Sequence, residues 1–368
     1  MYRLMIFVLS VLFLLPTLVQ AQTVTWHPLS LPDPDAPRRL VDLVGVSNGN
    51  ALVGNTRRLA FRINAARELT PIFCPELPRD PTSIRSGPAL FGLNNALKVA
   101  LTDAIMESGN PFSTQVGILQ AEGGACELVR VEGAVNTRLL AVADDDTSSG
   151  IYSGPNVALG QRRFKAFTRA ADGTISPFGG LCESEVLWPE AKAIGAIVGY
   201  AHCRVDLDPP PSLPYVYDAF AYVDGAFQIL RAPGDRTLWC PAVTNHLLAY
   251  CVEAVAEQVS GGKAWKVDLN VTPPAYTALP LPPPQQGGPV TWCTPRAAND
   301  LGWWLCTGNE VLPNCPDPNV PFAQSCNVMQ QWLAVPDEPP TKEKPPKRDK
   351  SEKEQRDKPE REKSKDRR

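Results

Sequence analysis

The chain has 368 residues, of which 43% are hydrophobic and 20% are charged, and its formal net charge is −3. This composition carries no specific signal for nucleic-acid binding, for which a strongly basic surface would be expected. Residues 22–336 are long enough to bury roughly three quarters of their extended surface if they form one body. No Gly/Ser-rich linker or charge run divides this segment, so we expect one large domain.

Residues 1–21 have the layout of a secretory signal peptide. A cationic start with Arg3 is followed by an apolar run from Leu4 to Val19, with a cleavage site predicted after Ala21. The alternative, a membrane anchor, is disfavoured because the run is shorter than the roughly 20 residues that cross a bilayer. We therefore expect a secreted or periplasmic protein with no transmembrane segment after cleavage.

Residues 337–368 form a charged, low-complexity tail. They contain 13 Lys and Arg against 10 Asp and Glu, with no large apolar side chain, so we expect disorder. Without the tail and Arg3, 22 Lys and Arg face 29 Asp and Glu, a net charge of −7. Contact with an anionic polymer is one role for the tail. A solubilising role is favoured because its charges are of both signs.

The domain at 22–336 repeats one hairpin at intervals of about 50 residues. Each copy places small or apolar residues on both sides of an Asn, Asp or Gly turn, near positions 48, 95, 145, 195, 245 and 300. The copies are Val44–Gly54, Ala89–Val99, Leu139–Thr147, Ala191–Gly199, Ala242–Ala249 and Ala297–Trp304. A period of this length is typical of repeat folds such as β-propellers.

A second hairpin follows in each repeat. The clearest has strands Ala219–Tyr222 and Phe227–Leu230 around an Asp224-Gly225 turn, a dipeptide that favours two-residue hairpins. The sixth repeat lacks its last strand, and Thr23–Pro32 resembles the missing piece. These features predict an all-β fold, a six-bladed β-propeller closed by the N-terminal strand. A β-solenoid or a two-sheet sandwich is the alternative.

Ten cysteines, an even number, remain after the predicted cleavage, which predicts a disulfide-stabilised domain in an oxidising compartment. Two pairs flank first-hairpin turns and are expected to bridge neighbouring strands. A third pair closes the long insertion of the last repeat. The other four cysteines are less determined, and for them we prefer the pairs Cys182–Cys203 and Cys74–Cys126. The predicted disulfides are Cys240–Cys251, Cys293–Cys306, Cys315–Cys326, Cys182–Cys203 and Cys74–Cys126.

The segment Asp218–Leu230, followed by Pro233-Gly234 and the Thr244-Asn245 turn, resembles the bacterial extracellular repeats of the HAF family. Lys165–Phe178 and Ile194–Gly199 are similar to further copies. The second and sixth repeats depart from the pattern because they lack its Ala-Phe strand. The resemblance implies a secreted, propeller-like repeat protein and carries no catalytic residues over to this chain.

Several familiar catalytic motifs are absent from the sequence. There is no phosphate-binding glycine loop, no dinucleotide fingerprint and no HExxH pattern. The three histidines, His27, His202 and His246, stand in a strand, beside a predicted disulfide and at a turn, and are interpreted as ordinary residues. The sequence lacks a Cys-x-x-Cys pair for zinc. We therefore expect no cofactor and no metal.

Two groups of residues are candidates for binding. Asp144, Asp145 and Asp146 offer clustered oxygens that could hold Ca²⁺ or flank a glycosidic bond, although Asp also favours turns by bonding its own backbone. Trp303 and Trp304 are adjacent, so in a strand one of them should point outward and could contact a sugar. Most of the eight tryptophans are expected to pack between blades.

These observations favour a non-catalytic binding or interaction protein, outside the cell or in its envelope. Its partner is unknown; an envelope polysaccharide or another protein is compatible with the pattern. The first alternative is a carboxylate-dependent, glycan-active enzyme such as a glycosidase or lyase. The second is a purely structural surface protein.

Overall fold

The computed structural model describes residues 23–29, 31–34, 36–56, 58–77, 88–106, 114–154, 164–181, 186–202, 218–254, 262–313 and 327–337. Every regular element in these ranges is a β-strand, which confirms the all-β prediction. Across the same ranges, no helix has the length and apolar character needed to cross a membrane. Cys182, Cys203, Cys315 and Cys326 lie outside the described residues, as does most of the charged tail.

The first strands of the chain are β1 (Val24–Leu29) and a small hairpin, β2 (Pro32–Asp33) and β3 (Ala36–Leu40). Three four-stranded antiparallel sheets follow, each built from consecutive strands. Unit 1 is β4 (Asp42–Val46), β5 (Leu52–Asn55), β6 (Ala60–Ile63) and β7 (Leu69–Pro71). Unit 2 is β8 (Ala89–Leu93), β9 (Val99–Ile105), β10 (Thr114–Gln120) and β11 (Cys126–Val129). Unit 3 is β12 (Asn136–Val142), β13 (Ser148–Ser153), β14 (Lys165–Arg169) and β15 (Ile175–Phe178).

The next eight strands form one continuous sheet. Only two residue pairs join β19 to β20, so we describe the halves as units 4 and 5. Unit 4 is β16 (Val186–Ala193), β17 (Ala196–His202), β18 (Asp218–Val223) and β19 (Ala226–Ala232). Unit 5 is β20 (Arg236–Val243), β21 (Leu248–Glu253), β22 (Ala264–Asp268) and β23 (Ala275–Ala278). The last sheet, unit 6, contains β24 (Val290–Ala298), β25 (Trp304–Val311), β26 (Asn327–Pro336) and β1.

The N-terminal strand pairs with the last strand of the chain. β1 runs antiparallel to β26 from Val24 opposite Pro336 to Leu29 opposite Gln331. The backbone N–H of Asp337 also donates to the carbonyl of Thr23, at 3.2 Å. The pairing expected from the incomplete sixth repeat is therefore present.

The units are arranged as in a β-propeller. The first strand of each unit contacts the first strand of the next, and β24 contacts β4. The hydrophobic core lies between neighbouring units: Ala100 and Leu119 of unit 2, for example, pack with Leu139, Val142 and Phe167 of unit 3. Such face-to-face packing buries the side chains on both sides of each inner strand.

Five of the six first hairpin turns share one geometry. In each of the five, one residue has positive φ, a conformation that Gly, Asn and Asp adopt most readily. The positive-φ residues are Asn50, Leu97, Asp146, Leu247 and Gly302. Unit 4 has a shorter turn, Ile194-Gly195. In the second hairpin of unit 4, Asp224 and Gly225 both have positive φ, as the Asp-Gly dipeptide predicted.

Every first strand contains a β-bulge at the same place. The register shifts between Leu43 and Gly45 in β4, and at the equivalent points of the other five first strands. A bulge inserts one unpaired residue and redirects its side chain. The inserted residues are Val44, Phe91, Leu140, Glu190, the pair Cys240-Pro241, and Arg296.

Three of the disulfides are within the described ranges. Cys74 is bonded to Cys126, Cys240 to Cys251 and Cys293 to Cys306, with Cα–Cα distances of 5.7, 4.0 and 5.6 Å. The second and third differ from direct cross-strand pairs. Cys240 lies in the bulge of β20 opposite Cys251, whereas Cys293 stands opposite Gly308, two residues from Cys306.

Candidate functional site

The six first turns meet at one end of the molecule in a ring of hydrogen bonds, which we call the turn ring. Each unit contributes the first residue of its first hairpin turn. The six members are Asn48, Asn95, Asp144, Ile194, Asn245 and Asp300. In five of the six steps, the backbone N–H of one member donates to the side-chain oxygen of the next member, at 2.6–3.0 Å. The sixth bond, from Asp144 to the next member, is not formed because the side chain of Ile194 has no oxygen to accept it.

Two amide side chains hold the two carboxylates of the ring together. Asn95 Nδ2 donates to Asp144 Oδ2 and Asp300 Oδ2, at 2.7 and 2.9 Å. Asn245 Nδ2 donates to the same two oxygens, at 2.6 and 2.8 Å. Both Asn orientations are fixed because each Oδ1 already accepts a backbone N–H. The carboxylates therefore approach closely while each is surrounded by N–H donors.

A second tier of side chains reinforces the ring. Asn94 Nδ2 donates to the carbonyl of Ala143 at 3.0 Å, and Asn299 Nδ2 donates to the carbonyl of Ser47 at 2.9 Å. Both asparagines are buried. Sequence analysis did not identify this ring. The signal was present, because Asn or Asp occupies the first turn position in five of the six repeats.

The three aspartates of the Asp144–Asp146 run do not form one cluster. Asp144 belongs to the turn ring. Asp145 is exposed and accepts from the N–H and hydroxyl of Thr147, as expected for an aspartate that bonds its own turn. Asp146 has a φ of 62° and forms an ion pair with Lys98 at 2.8 Å. The three carboxylates thus have separate partners and do not converge on a shared site.

Trp303 and Trp304 do not form an open aromatic surface. Trp304 is buried, with its ring 5.0 Å from that of Trp26 and 6.3 Å from that of Tyr250. Trp303 is half-buried and packs against the cluster that includes Leu29 and Val41. The expectation that tryptophans pack between units therefore holds for Trp304.

Behind the turn ring, the first strands enclose a narrow axial channel with two cavities of about 40 and 50 Å³. Residues of all six first strands line both cavities, and five of the bulge residues line the larger one. Volumes of this size hold a few water molecules and no sugar ring. Glu190, Lys192 and Arg296 bring charges into this space, and Phe91 an aromatic ring.

Glu190, Trp239 and Arg296 form one group across units 4, 5 and 6. Burial raises the pKa of Glu190 to about 7, although attraction to Arg296 and a hydrogen bond from Trp239 act in the opposite direction. The Arg296 guanidinium lies over the Trp239 ring, 5.4 Å from its centroid. Burial also lowers the pKa of Lys192, and Asp145 opposes that shift. The channel therefore contains a carboxyl that changes charge near neutral pH.

A larger cavity, of about 500 Å³, lies between units 1 and 2, in the size range of small-ligand sites. Its lining includes Arg62, Phe73, Leu97, Gln120 and Glu122. Another, of about 340 Å³, lies between units 3 and 4 and includes Arg169 and Lys192. Sequence analysis predicted neither cavity, because each is assembled from residues of separate repeats.

Comparisons with known proteins identify no family for this chain. No protein-family model matches it, and no curated protein matches its sequence significantly.

Similar solved structures have low sequence identity. A gluconolactonase from Xanthomonas campestris has a TM-score of 0.45 at 14% identity, over 87% of this chain and 93% of that chain. A streptogramin B lyase has a TM-score of 0.43 at 10% identity, over 84% and 98%. The β-propeller domain of a protease from Pyrococcus furiosus has a TM-score of 0.40 at 10% identity, over 73% and 77%. Because all three TM-scores are below 0.5, no inference about this chain rests on them.

Proposed function

We propose that this chain is an exported, six-bladed β-propeller, closed by its N-terminal strand, that binds a partner without transforming it. The cycle of contacts between first strands and the pairing of β1 with β26 support six blades and closure, with each unit as one blade. The disulfides support export because such bonds persist in oxidising compartments. We further propose that the units are HAF-type repeats, because Asp218–Leu230, Lys165–Phe178 and Ile194–Gly199 resemble such repeats.

The observation that supports a non-catalytic role is the hydrogen bonding of the two ring carboxylates. The Oδ2 atoms of Asp144 and Asp300 accept from the same two amide groups, so the two carboxylates are close together, as in two-carboxylate catalysis. Every one of their four oxygens, however, accepts a hydrogen bond from a ring N–H. A catalytic pair needs one carboxyl free to protonate a substrate and another free to attack it or to activate water. The ring is therefore proposed to close the channel and position the units.

The test measures binding and turnover on the same materials. The mature chain, residues 22–368, is mixed with purified envelope polysaccharides and peptidoglycan, and both co-sedimentation and release of reducing ends are recorded. Binding without turnover is the expected result. Turnover by the mature chain would overturn the non-catalytic proposal. Absence of both activities would favour a purely structural protein instead.

Closure is tested separately by removing β1. A chain that begins at residue 31 exposes the hydrogen-bonding edge of β26 and uncovers the core that Leu29 helps to form. We expect this variant to aggregate or lose most of its stability. A fully stable, monomeric variant would contradict closure by the N-terminal strand.

A second candidate, a carboxylate-dependent glycan-active enzyme, is favoured by one observation and opposed by another, because the cavity beside Glu190 is too small for a sugar ring. The pKa of Glu190, at about 7, is in the range of a general acid working near neutral pH. If this candidate is correct, Glu190→Gln abolishes turnover while the variant still binds polysaccharide. Turnover that survives this substitution would exclude Glu190 as the acid.

A further inference from the structure

We propose that the cleft between units 1 and 2 is a binding site for a small organic anion with an apolar body. The inference rests on the proposed binding function and assigns it a location and a ligand class. The cleft is the 500 Å³ cavity described above, and its walls come from turns and strand ends of both units. Most small-ligand sites combine such an apolar cavity with a few well-placed polar groups.

Arg62 supplies the charge that selects an anion. Its guanidinium spans the cleft, donating to the carbonyls of Leu97 at 2.6 Å and Gln120 at 3.1 Å. A guanidinium has five N–H groups, so these two bonds leave donors for a carboxylate or sulfonate. Burial lowers the pKa of Arg62, and nearby Glu122 acts in the opposite direction. A positive charge is thus held, half-buried, in the wall of the cleft.

Equivalent positions in other units show why the space exists. Arg62 pairs with Val53 in unit 1. The corresponding residues in units 2 to 6 are Leu119, Thr168, Ala221, Lys266 and Leu333, so two of the five are leucines. Both leucines are buried in the cores between units. An arginine that reaches across to two carbonyls cannot fill this position as a leucine does. The cleft is therefore a feature of this sequence and not a necessary consequence of the repeat.

The cleft is held in shape by a disulfide between the two units. Cys74 follows β7 of unit 1, and Cys126 begins β11 of unit 2. Beside it, Gln120 Nε2 donates to the carbonyl of Phe73 at 3.1 Å. The other two described disulfides lie within single units. A covalent link across the cleft keeps its two walls in place, so less conformational entropy is lost when a ligand binds.

The apolar part of the ligand is expected to contact Phe73 and Leu97. Phe73 lines the cleft and is 45% exposed, although aromatic side chains are usually buried. Leu97 lies in the turn of unit 2, beside the carbonyl that Arg62 contacts. The anionic head would bind Arg62 while the apolar body covers these two side chains.

The test uses the mature chain and the fluorescent probe 8-anilinonaphthalene-1-sulfonate, with octanoate and 1-octanol as competitors. We expect saturable binding at one site, displaced by octanoate at a concentration at least tenfold lower than octanol requires. Arg62→Gln should weaken probe binding by about tenfold or more, which is the usual size of a lost charged hydrogen bond. Arg58→Gln, at an exposed position of the same unit, should leave binding unchanged.

Two further variants keep the test decisive if Arg62→Gln folds poorly. Gly49→Asp adds a carboxylate to the cleft lining, where a Cβ meets nothing nearer than 3.7 Å, and should weaken probe binding. Glu122→Gln removes a negative charge from the lining and should strengthen it. Binding unchanged by both, or equal displacement by octanol and octanoate, would overturn the proposal. Because the probe is free in solution, these results do not depend on whether an envelope partner is found.

Discussion

Glu190→Gln should change how the stability of the domain depends on pH. The pKa of Glu190 is about 7 in the folded protein, against an ordinary value of 4.5. Between these values the folded state keeps a proton that the unfolded state has lost, so the free energy of unfolding falls as pH rises. The fall is about 1.4 kcal/mol per pH unit, or about 3 kcal/mol in total, and is complete above pH 7. This total is an upper bound because Glu190 retains some accessible surface.

The measurement is chemical unfolding of the oxidised protein at pH 5 and pH 8, for the mature chain and the variant. Glutamine is neutral at both values, so the variant should lose less stability on going from pH 5 to pH 8, by up to about 3 kcal/mol. The other charged groups near the channel, Lys192, Arg296 and Asp145, are present in both proteins, so they do not account for a difference between them. The same substitution at the exposed Glu132 reports the effect of removing one surface carboxyl. Equal pH dependence in Glu190→Gln and the parent chain would refute the assignment of a titrating channel carboxyl.

Three other predictions concern stability, each measured by the free energy of unfolding. Asn95→Ala removes two donors from the ring carboxylates and one acceptor from Asn48, and should cost about 3 kcal/mol or more, whereas Asn64→Ala in an exposed turn should cost about 1 kcal/mol or less; similar losses would contradict a stabilising ring. Replacing Cys74 and Cys126 with serine should cost about 4 kcal/mol, and replacing Cys240 and Cys251 about 3 kcal/mol, because the first bond closes a loop of 52 residues and the second one of 11; the reverse order would refute the loop argument. Gly150→Ala should cost at least about 2 kcal/mol, because a Cβ would lie 2.1 Å from the Arg138 carbonyl, whereas Gly154→Ala has no such neighbour and should be near neutral; equal effects would contradict the close approach.

Much of the architecture follows from local sequence. Asn, Asp and Gly at intervals of about 50 residues specify the first turns, although in two of them the positive φ falls on a leucine. Apolar residues specify the strands between the turns. The hairpin around Asp224-Gly225 and the proximity of Cys240 to Cys251 depend on residues close in sequence. The partner for β1 was also predictable, because an incomplete sixth repeat requires a strand from elsewhere.

The candidate sites depend on the tertiary structure. The turn ring joins residues as far apart as Asn48 and Asp300, and no local pattern reveals that the backbone N–H of Asp300 donates to the side chain of Asn48. The bulges recur at equivalent positions of the first strands, and they turn Glu190 and Arg296 toward the channel. Their position is set by strand register and not by residue type. Arg62 has no distinguishing feature in the sequence. Its proposed role depends on two carbonyls of unit 2 and on a disulfide that joins units 1 and 2 beside it, because packing between repeats decides which side chains share a cavity.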